Sequence, residues 1–392
     1  MPFSPVQGMS AAEVLELIGN GETTKVQFKS DVNNVVSIAQ ELVAFSNTKG
    51  GVILIGVDDK TGKILSLSFQ DIQRINNLLA AAAQDHVKSP ILISTETVKV
   101  NDNRVIAVSV PEGMDKPHTD KDGVIWVKNG SDKRKVTSKE ELARLLQSSG
   151  NLYAEEMLLQ HSSLSDLNWD KFQAFYEEKY KEPCEKENME KHLENLRLGG
   201  NGKLNLAGAL LFGKNQQKLT PAFFITAIWF RGNNITATDY RSSENITGTL
   251  DQQYRRGYDF LVAKLDKLQA GQPFNSLGKS EVPEVVITEL LVNALIHRDY
   301  FIHDSIKIFL FDDRIEITSP GKLPNNLTAE QIRRGVRRSR NHIIASLAPD
   351  LLEYRGAGSG ILRALKAYPH IQFINDAEGE QFKVIIQRPE KK

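Results

Sequence analysis

The sequence predicts a mixed α/β fold of the α+β kind, and three observations carry that prediction. Short apolar runs rich in β-branched residues, "GGVILIGVDD" (50–59) among them, alternate with segments of helical periodicity in both halves of the chain. Turn signals such as "DDKTGK", "VNDNR" and "DDR" punctuate those runs. The composition, 40% hydrophobic and 25% charged over 392 residues, is that of an ordinary globular chain long enough for two or three domains.

Taken in order, residues 11–19 and 34–47 read as amphipathic helices, and 50–59 as a buried strand with a turn after it. A helix near 70–85 follows, then strands near 91–100 and 104–110 joined by "VNDNR". "GVIWVKNGSDKRKVT" (123–137) reads as a strand ending in a basic loop. Ser138, with Glu141 three residues on, opens a helix over 138–148 through a capping box, and "SSGN" near 150 marks a boundary. Residues 151–200 are polar and mainly helical, and their charge run reads as a connector surface. "LNLAGALLFG" and "PAFFITAIWFRG" return to apolar sequence, the second as a strand, and 249–268 form an amphipathic helix. The last part reads as a helix over 284–297, strands over 304–311 and 314–318, a Pro320–Gly321 loop and an Arg-rich helix. A glycine cluster over 356–360, a helix and a terminal pair of strands follow. The expected division is 1–150, a central helical and strand region over 151–280, and 281–392.

Lysine plus arginine and aspartate plus glutamate both number 49, so any attraction to nucleic acid or membrane must be local. The single cysteine, Cys184, excludes a disulfide framework and a cysteine-built metal site within one chain. The first residues lack the basic-then-apolar form of a secretory signal, and no apolar run approaches the roughly 20 residues needed to cross a bilayer. The expectation is a soluble cytoplasmic protein, free of membrane, with a symmetric homo-oligomer as the default assembly.

Four patterns carry candidate chemistry. In "TELLVNALIHRD" (288–299), Glu289, Asn293 and His297 recur every four residues and form one polar line on an otherwise apolar helix. Polar groups buried there need partners, supplied either by a hydrogen-bonded core network or by a ligand. In "YRGAGSGILRALK" (354–366), Gly356, Gly358 and Gly360 precede a helical run, where they either cap the helix or let backbone N–H groups approach an anion. These glycines do not follow a strand in a βαβ unit, and the chain has no GxxxxGK[ST], so neither a Rossmann nor a P-loop site is indicated. "QIRRGVRRSRN" spaces Arg333 with Arg337 and Arg334 with Arg338 along a helix face, either solvated or set over phosphates. "WVKNGSDKRK" clusters Lys128, Lys133, Arg134 and Lys135 beside Trp126, a set able to neutralise phosphates in a salt-sensitive way.

The ExxxN helix, a strand hairpin ending in a Pro–Gly loop and a late GxGxG before a helix together resemble the Bergerat-type ATP-binding fold of gyrase, histidine kinases and the MutL proteins. More closely, "ELLVNALIHRDY", "DRIEITSPGKLP" and "RNH" are similar to the divergent RecG-related ATP-binding branch of transcriptional regulators, over residues 281–392. The resemblance implies a C-terminal α/β sandwich that binds ATP and Mg²⁺. It gives Asn293 to the Mg²⁺ that bridges the phosphates, and Glu289 to orienting or deprotonating the attacking water. It makes Gly356, Gly358 and Gly360 the phosphate cradle, and places Ser319 and Gly321 on the adenine-reading loop. At Ser319 the family at large carries an aspartate. His297, Arg298 and Asp299, at the end of the helix, suit a cation or phosphate contact but receive no assigned role from it.

"ETTKVQFKSDVN" followed by "IAQELVAFSNTKGGVILIGVDDKTGKILSL" resembles the Schlafen AlbA-type domain, over roughly 11–148. That resemblance implies an α/β module that binds nucleic acid, DNA in preference to RNA. In Schlafen-type ribonucleases three acidic residues gather a metal; the first matches Glu22, the second falls on Gln27, and the third lies near Asp58 or Asp59. Neutral Gln27 removes a charge that a divalent cation requires. The connection through Asn47, Thr48, Gly50 and Gly51 reads either as a structural turn or as a contact. The leading expectation is a regulator that couples a nucleic-acid-binding module to an ATP-binding module, with nucleotide as conformational ligand. A metal-dependent nuclease or weak ATPase of a defence system, and a scaffold with a degenerate nucleotide site, stay open beside it.

Overall fold

Elements α1 (Ala11–Asn20), β1 (Val26–Lys29), α2 (Val35–Asn47), β2 (Gly51–Ile55), α3 (Phe69–Asp85), β3 (Ser94–Val100) and β4 (Asn103–Val110) build the first unit, Met1–Leu152. Their sheet has the order β1–β2–β4–β3, with β1 parallel to β2 and the other pairs antiparallel. Ile53 and Ile55 pack with Ile106 and Val108 against Ile38, Leu42 and Leu79 of α2 and α3. Val52 and Leu54 pack on the opposite face with Phe28 and with Val14 of α1. A strand covered on both faces has no polar side to show, which is why "GVILI" is apolar without interruption. On β1 the alternation decides something else. Val26 and Phe28 join the α1 layer, so Gln27 and Lys29 point towards α2.

The first unit ends with β5 (Trp126–Asn129), β6 (Asp132–Lys135) and α4 (Lys139–Ser148). The expected strand with a basic loop is instead a hairpin: Asn129 pairs with Asp132 across Gly130 and Ser131, and Lys133 to Lys135 lie on the second strand. Ser138 caps α4 by accepting from Glu141 N at 3.0 Å, while the Glu141 carboxylate turns to Arg134.

The second unit, Tyr153–Lys392, contains α5 (Trp169–Tyr180), α6 (Leu206–Phe212), β7 (Ile225–Phe230), β8 (Tyr240–Ile246), α7 (Leu250–Val262) and α8 (Glu284–His297). After them come β9 (Ile306–Leu310), β10 (Arg314–Pro320), α9 (Ala329–Arg333), α10 (His342–Leu351), α11 (Gly360–Ala367), β11 (Ile371–Asp376) and β12 (Gln381–Gln387). The six strands run in the order β8–β7–β9–β10–β12–β11, with only β7 and β9 parallel. Ala227, Ile308, Ile317 and Val384 stand in register across four of them and join the core under α7 and α8. The result is a mixed sheet with a helical layer, an α+β architecture in keeping with the alternating sequence. Residues 151–280 do not form a body of their own in it. They supply β7, the polar edge strand β8 and α7 to the sheet and core that residues 281–392 complete.

Two local features set up the site. The Arg-rich stretch is helical only over α9, after which Gly335 takes φ +85° and Arg337 and Arg338 follow in a loop, so no helix face presents all four arginines. The N-terminus of α10 has no cap from its own Asn341; buried Glu155 accepts from Ile343 N and Ile344 N, both at 2.8 Å. Burial pushes the Glu155 carboxyl up to about 7, against the pull of those donors.

The computed structural model describes residues 8–150, 152–236, 239–268, 278–324, 327–352 and 359–389. Among them no helix is long and apolar enough to cross a membrane. Gly356 and Gly358 lie outside the described residues.

Candidate functional site

The polar line on α8 divides between two environments. Glu289 is buried at 4% exposure, and its Oε1 accepts from Arg363 Nε at 3.0 Å and from Arg363 Nη2. Its Oε2 has no hydrogen-bond partner among the described residues and rests against the start of α11, where a β-carbon added to Gly360 would fall 2.1 Å away. A side chain at position 360 would have to displace the Glu289 carboxylate. One turn on, Asn293 Nδ2 donates to Glu289 O at 2.5 Å, which leaves the amide oxygen for the space beyond.

That space is a cavity of about 520 Å³. Asn293 and His297 hang from its α8 roof, and Ile317, Ser319, Phe382 and Val384 form its floor on β10 and β12. Ser319 reaches the floor because it lies two residues on from Ile317, on the same face of β10, and pairs with Phe382. Exposed Arg337 and Arg338 stand at the side, and Gly360 closes one end. Glu289 does not line the cavity. An apolar interior with a few polar groups and cations at the margin has the composition of a small-molecule site. His297 is half-buried; burial first, then Arg340 and Arg337, pull its pKa down to about 4, so a neutral imidazole faces the cavity at pH 7.

The residues around this roof are structural. Asn341 Nδ2 donates to Ile296 O and Arg298 O, both at 2.8 Å, and so ties off the last carbonyls of α8. Arg298 is 2% exposed, stacks over Phe223 at 4.8 Å and donates to Ile302 O. Asp299 pairs with Arg340 Nη1 at 2.9 Å. Gly321, at φ +100°, leaves no room for a side chain: its β-carbon would fall 2.4 Å from Asp299 Cβ and 2.6 Å from Arg340 Nη1. Arg298 and Asp299, for which a phosphate or cation contact is conceivable from sequence, are thus spent inside the fold. Asn293, Ser319, Gly321 and Gly360 come together on one cavity; Glu289 stands behind it.

In the first unit, strand alternation separates the basic residues that sequence groups together. Lys128 and Lys133 form a cross-strand pair, as do Trp126 and Lys135, and Arg134 points to the opposite face. The Lys128 side chain is fully buried; its ammonium donates to Gln27 Oε1 at 2.9 Å and to Ser131 O, and lies 3.7 Å from Glu41 Oε2. Burial lowers its pKa while Glu41 and Glu22 pull in the opposite direction. Lys133 Nζ meets Glu41 Oε1 at 3.2 Å and Ser37 O at 3.1 Å. Arg134 makes a two-pronged pair with Glu141 at 2.9 and 2.6 Å. Lys135 is exposed and sits 5.4 Å from the Trp126 ring, which Asp120 holds through the indole N–H at 2.7 Å. Lys128 therefore cannot touch a phosphate, Lys133 is paired with Glu41, and the two exposed members are Arg134, paired with Glu141, and Lys135.

Asn47 and Thr48 take the structural option. Asn47 Nδ2 donates to His118 O and Trp126 O at 2.8 and 2.9 Å, and Thr48 Oγ1 accepts from Lys128 N at 2.9 Å. Asp58 is occupied by its own turn, accepting from Thr61 Oγ1 at 2.7 Å and Thr61 N at 2.8 Å. No group of three or more His, Cys, Asp or Glu placed to hold a metal ion occurs among the described residues. The sequence assigns no role to Glu41, Arg363 or Asn341; Glu41 left a signal as an isolated carboxylate in the apolar register of α2, and Asn341 as the middle residue of "RNH".

Residues 22–137 match the family model described as "Schlafen, AlbA_2", and residues 303–386 match the one described as "Putative ATP-dependent DNA helicase recG C-terminal". The second match begins beyond α8, so Glu289 and Asn293 fall outside it. Among solved structures the chain is similar to the DIP2311 protein from Corynebacterium diphtheriae, at 18% identity over 97% of this chain and 80% of that one, with a TM-score of 0.47. It is also similar to the N-terminal domain of a RecG-related protein from Nitrosomonas europaea, at 23% identity over 34% of this chain and 97% of that domain, with a TM-score of 0.25. No curated protein matches it.

Proposed function

We propose that the second unit binds ATP in the cavity beneath α8, and that binding rather than turnover is the working event of a nucleic-acid-associated regulator. The observation that carries this reading is the convergence of Asn293, Ser319 and Gly360 with Arg337 and Arg338 on one apolar cavity. The interior suits a purine, the serine hydroxyl and neutral imidazole offer it hydrogen bonds, and the arginines suit phosphates. The Asn293 amide oxygen is a hard donor that fits Mg²⁺, which would offset phosphate charge when bound. Glu289 is held by Arg363, so activation of water by this carboxylate requires that pair to open. Nucleotide then acts by favouring one arrangement of the arginine loop and α11 over another. The match of residues 22–137 to the Schlafen AlbA model supports a nucleic-acid role for the first unit.

Isothermal titration of the full chain with ATP and Mg²⁺ tests the reading. Binding should weaken about ten-fold or more in Asn293→Ala and in Arg338→Ala, with phosphate release at background in the wild type. No heat at millimolar nucleotide, or unchanged affinity in both variants, contradicts it.

A further inference from the structure

The first unit matches a family whose nucleases, by the resemblance noted above, gather a metal with three carboxylates; its own residues do not fit one. Gln27 is neutral, Asp58 is closed into its turn, and Asp59 is exposed on that same turn. Glu22 Oε1 accepts from Phe28 N at 2.8 Å. The one deeply buried carboxylate of the niche, Glu41, already faces three ammonium groups: Lys133 at 3.2 Å, Lys128 at 3.7 Å and Lys29 at 3.9 Å. Of these Lys128 is the central one. It enters from β5, donates to Gln27 and to Ser131 O, faces Glu41, and lies 4.8 Å from the centre of the Phe45 ring. A divalent ion entering the niche would meet these positive charges with one neutral amide, one carboxylate shared among three ammonium groups, and Glu22, whose Oε1 is engaged by Phe28 N, and hard cations need more free oxygen charge than that.

We infer that the Lys128 ammonium is the resident cation of this niche, standing between Gln27 and Glu41 where a divalent metal is excluded, so that any phosphodiester this unit binds is bound without metal. The amide at position 27 belongs to the same arrangement, because a neutral acceptor satisfies one ammonium proton without adding charge to attract a competing ion. The last clause of the inference rests on the nucleic-acid reading of the first unit; the cation assignment does not.

Electron paramagnetic resonance of Mn²⁺ titrated into the full chain, without nucleotide, tests the assignment directly. The wild type should leave the free-ion signal unchanged by Glu41→Gln, and Gln27→Glu/Lys128→Ala should bind Mn²⁺ at least about ten-fold more tightly than the wild type. If the double variant does not fold, judged by circular dichroism, Gln27→Glu alone and the wild-type titration decide. A stoichiometric Mn²⁺ site in the wild type that disappears in Glu41→Gln overturns the assignment. Fluorescence anisotropy of a labelled oligonucleotide at low salt forms the second arm. Binding that is equal in EDTA and in Mn²⁺ supports metal independence, and binding that needs Mn²⁺ overturns it. Failure to bind the oligonucleotide under any condition overturns the nucleic-acid reading alone, and the Mn²⁺ arm still settles the cation.

Discussion

The two units treat a buried carboxylate in contrasting ways. Around Glu41 the niche is filled, with Lys128 fully buried and Lys29 and Lys133 closing over the same oxygens. Glu289 has one basic partner, Arg363, whose side chain is 34% exposed, while Oε2 of both carboxylates lacks a hydrogen-bond partner among the described residues. The Glu289 pair also adjoins α11, whose first residue closes one end of a cavity of about 520 Å³. Glu41 is locked by a fully buried ammonium, with Lys29 and Lys133 only 24% and 18% exposed beside it, and is a fixed part of the fold. A charge whose partner reaches solvent beside a cavity can be exchanged, and that difference places a structural centre in the first unit and a responsive one in the second.

The largest expected effect breaks the filled niche. Lys128→Met leaves Glu41 without its buried counter-charge and Gln27 Oε1 without its donor, and should destabilise the first unit by about 3–5 kcal/mol. Hydrogen exchange in urea, resolved by peptide, measures it at β5 and β2, and a change within experimental error there would show the niche to be solvated. Next comes His297. Its folded-state pKa of about 4 lies below the ordinary 6.5, so the unfolded chain takes up the proton first as pH falls. Stability is then complete above pH 6.5 and drains away down to about pH 4, by about 3 kcal/mol in all. The wild type minus His297→Gln difference isolates this from opposing groups such as Glu155, and a flat difference across that window contradicts it.

Arg363→Ala should cost less than Lys128→Met, about 1–3 kcal/mol, because water reaches part of the Arg363 site and screens the pair. Glu289→Gln should cost less again, since the stranded arginine can hydrate while a stranded carboxylate cannot. The reverse order would mean that Glu289, rather than its partner, is the solvent-facing member. The smallest effect belongs to Arg134→Ala, which removes an exposed pair with Glu141 and should change stability by about 0.5 kcal/mol or less. A larger loss would assign the β5–β6 hairpin an anchoring role on α4.

Local signals were legible and long-range ones were not. The uninterrupted "GVILI" and the fourfold polar spacing on α8 follow from periodicities that need no partner to be recognised. The hairpin was legible too, since Asn129–Gly130 is a turn dipeptide, but the lysines after it suggested a loop, and their alternation went unread. In the Arg-rich stretch, spacing predicted a helix, while the positive φ at Gly335 ended it after Arg333. That residues 151–280 share a sheet with 281–392 has no local signal, because β7 pairs with a strand about eighty residues away. The fate of Glu289 was hidden for the same reason. Its partner lies 74 residues on, and a carboxylate's reach into a cavity or into an arginine looks identical in sequence.

Hydrogen exchange of the full chain with and without ATP and Mg²⁺ tests the central claim most directly. The account predicts slower exchange over residues 336–339 and at the start of α11, with the β5–β6 hairpin unchanged. Unaltered exchange around the cavity, or protection confined to the hairpin, would contradict it.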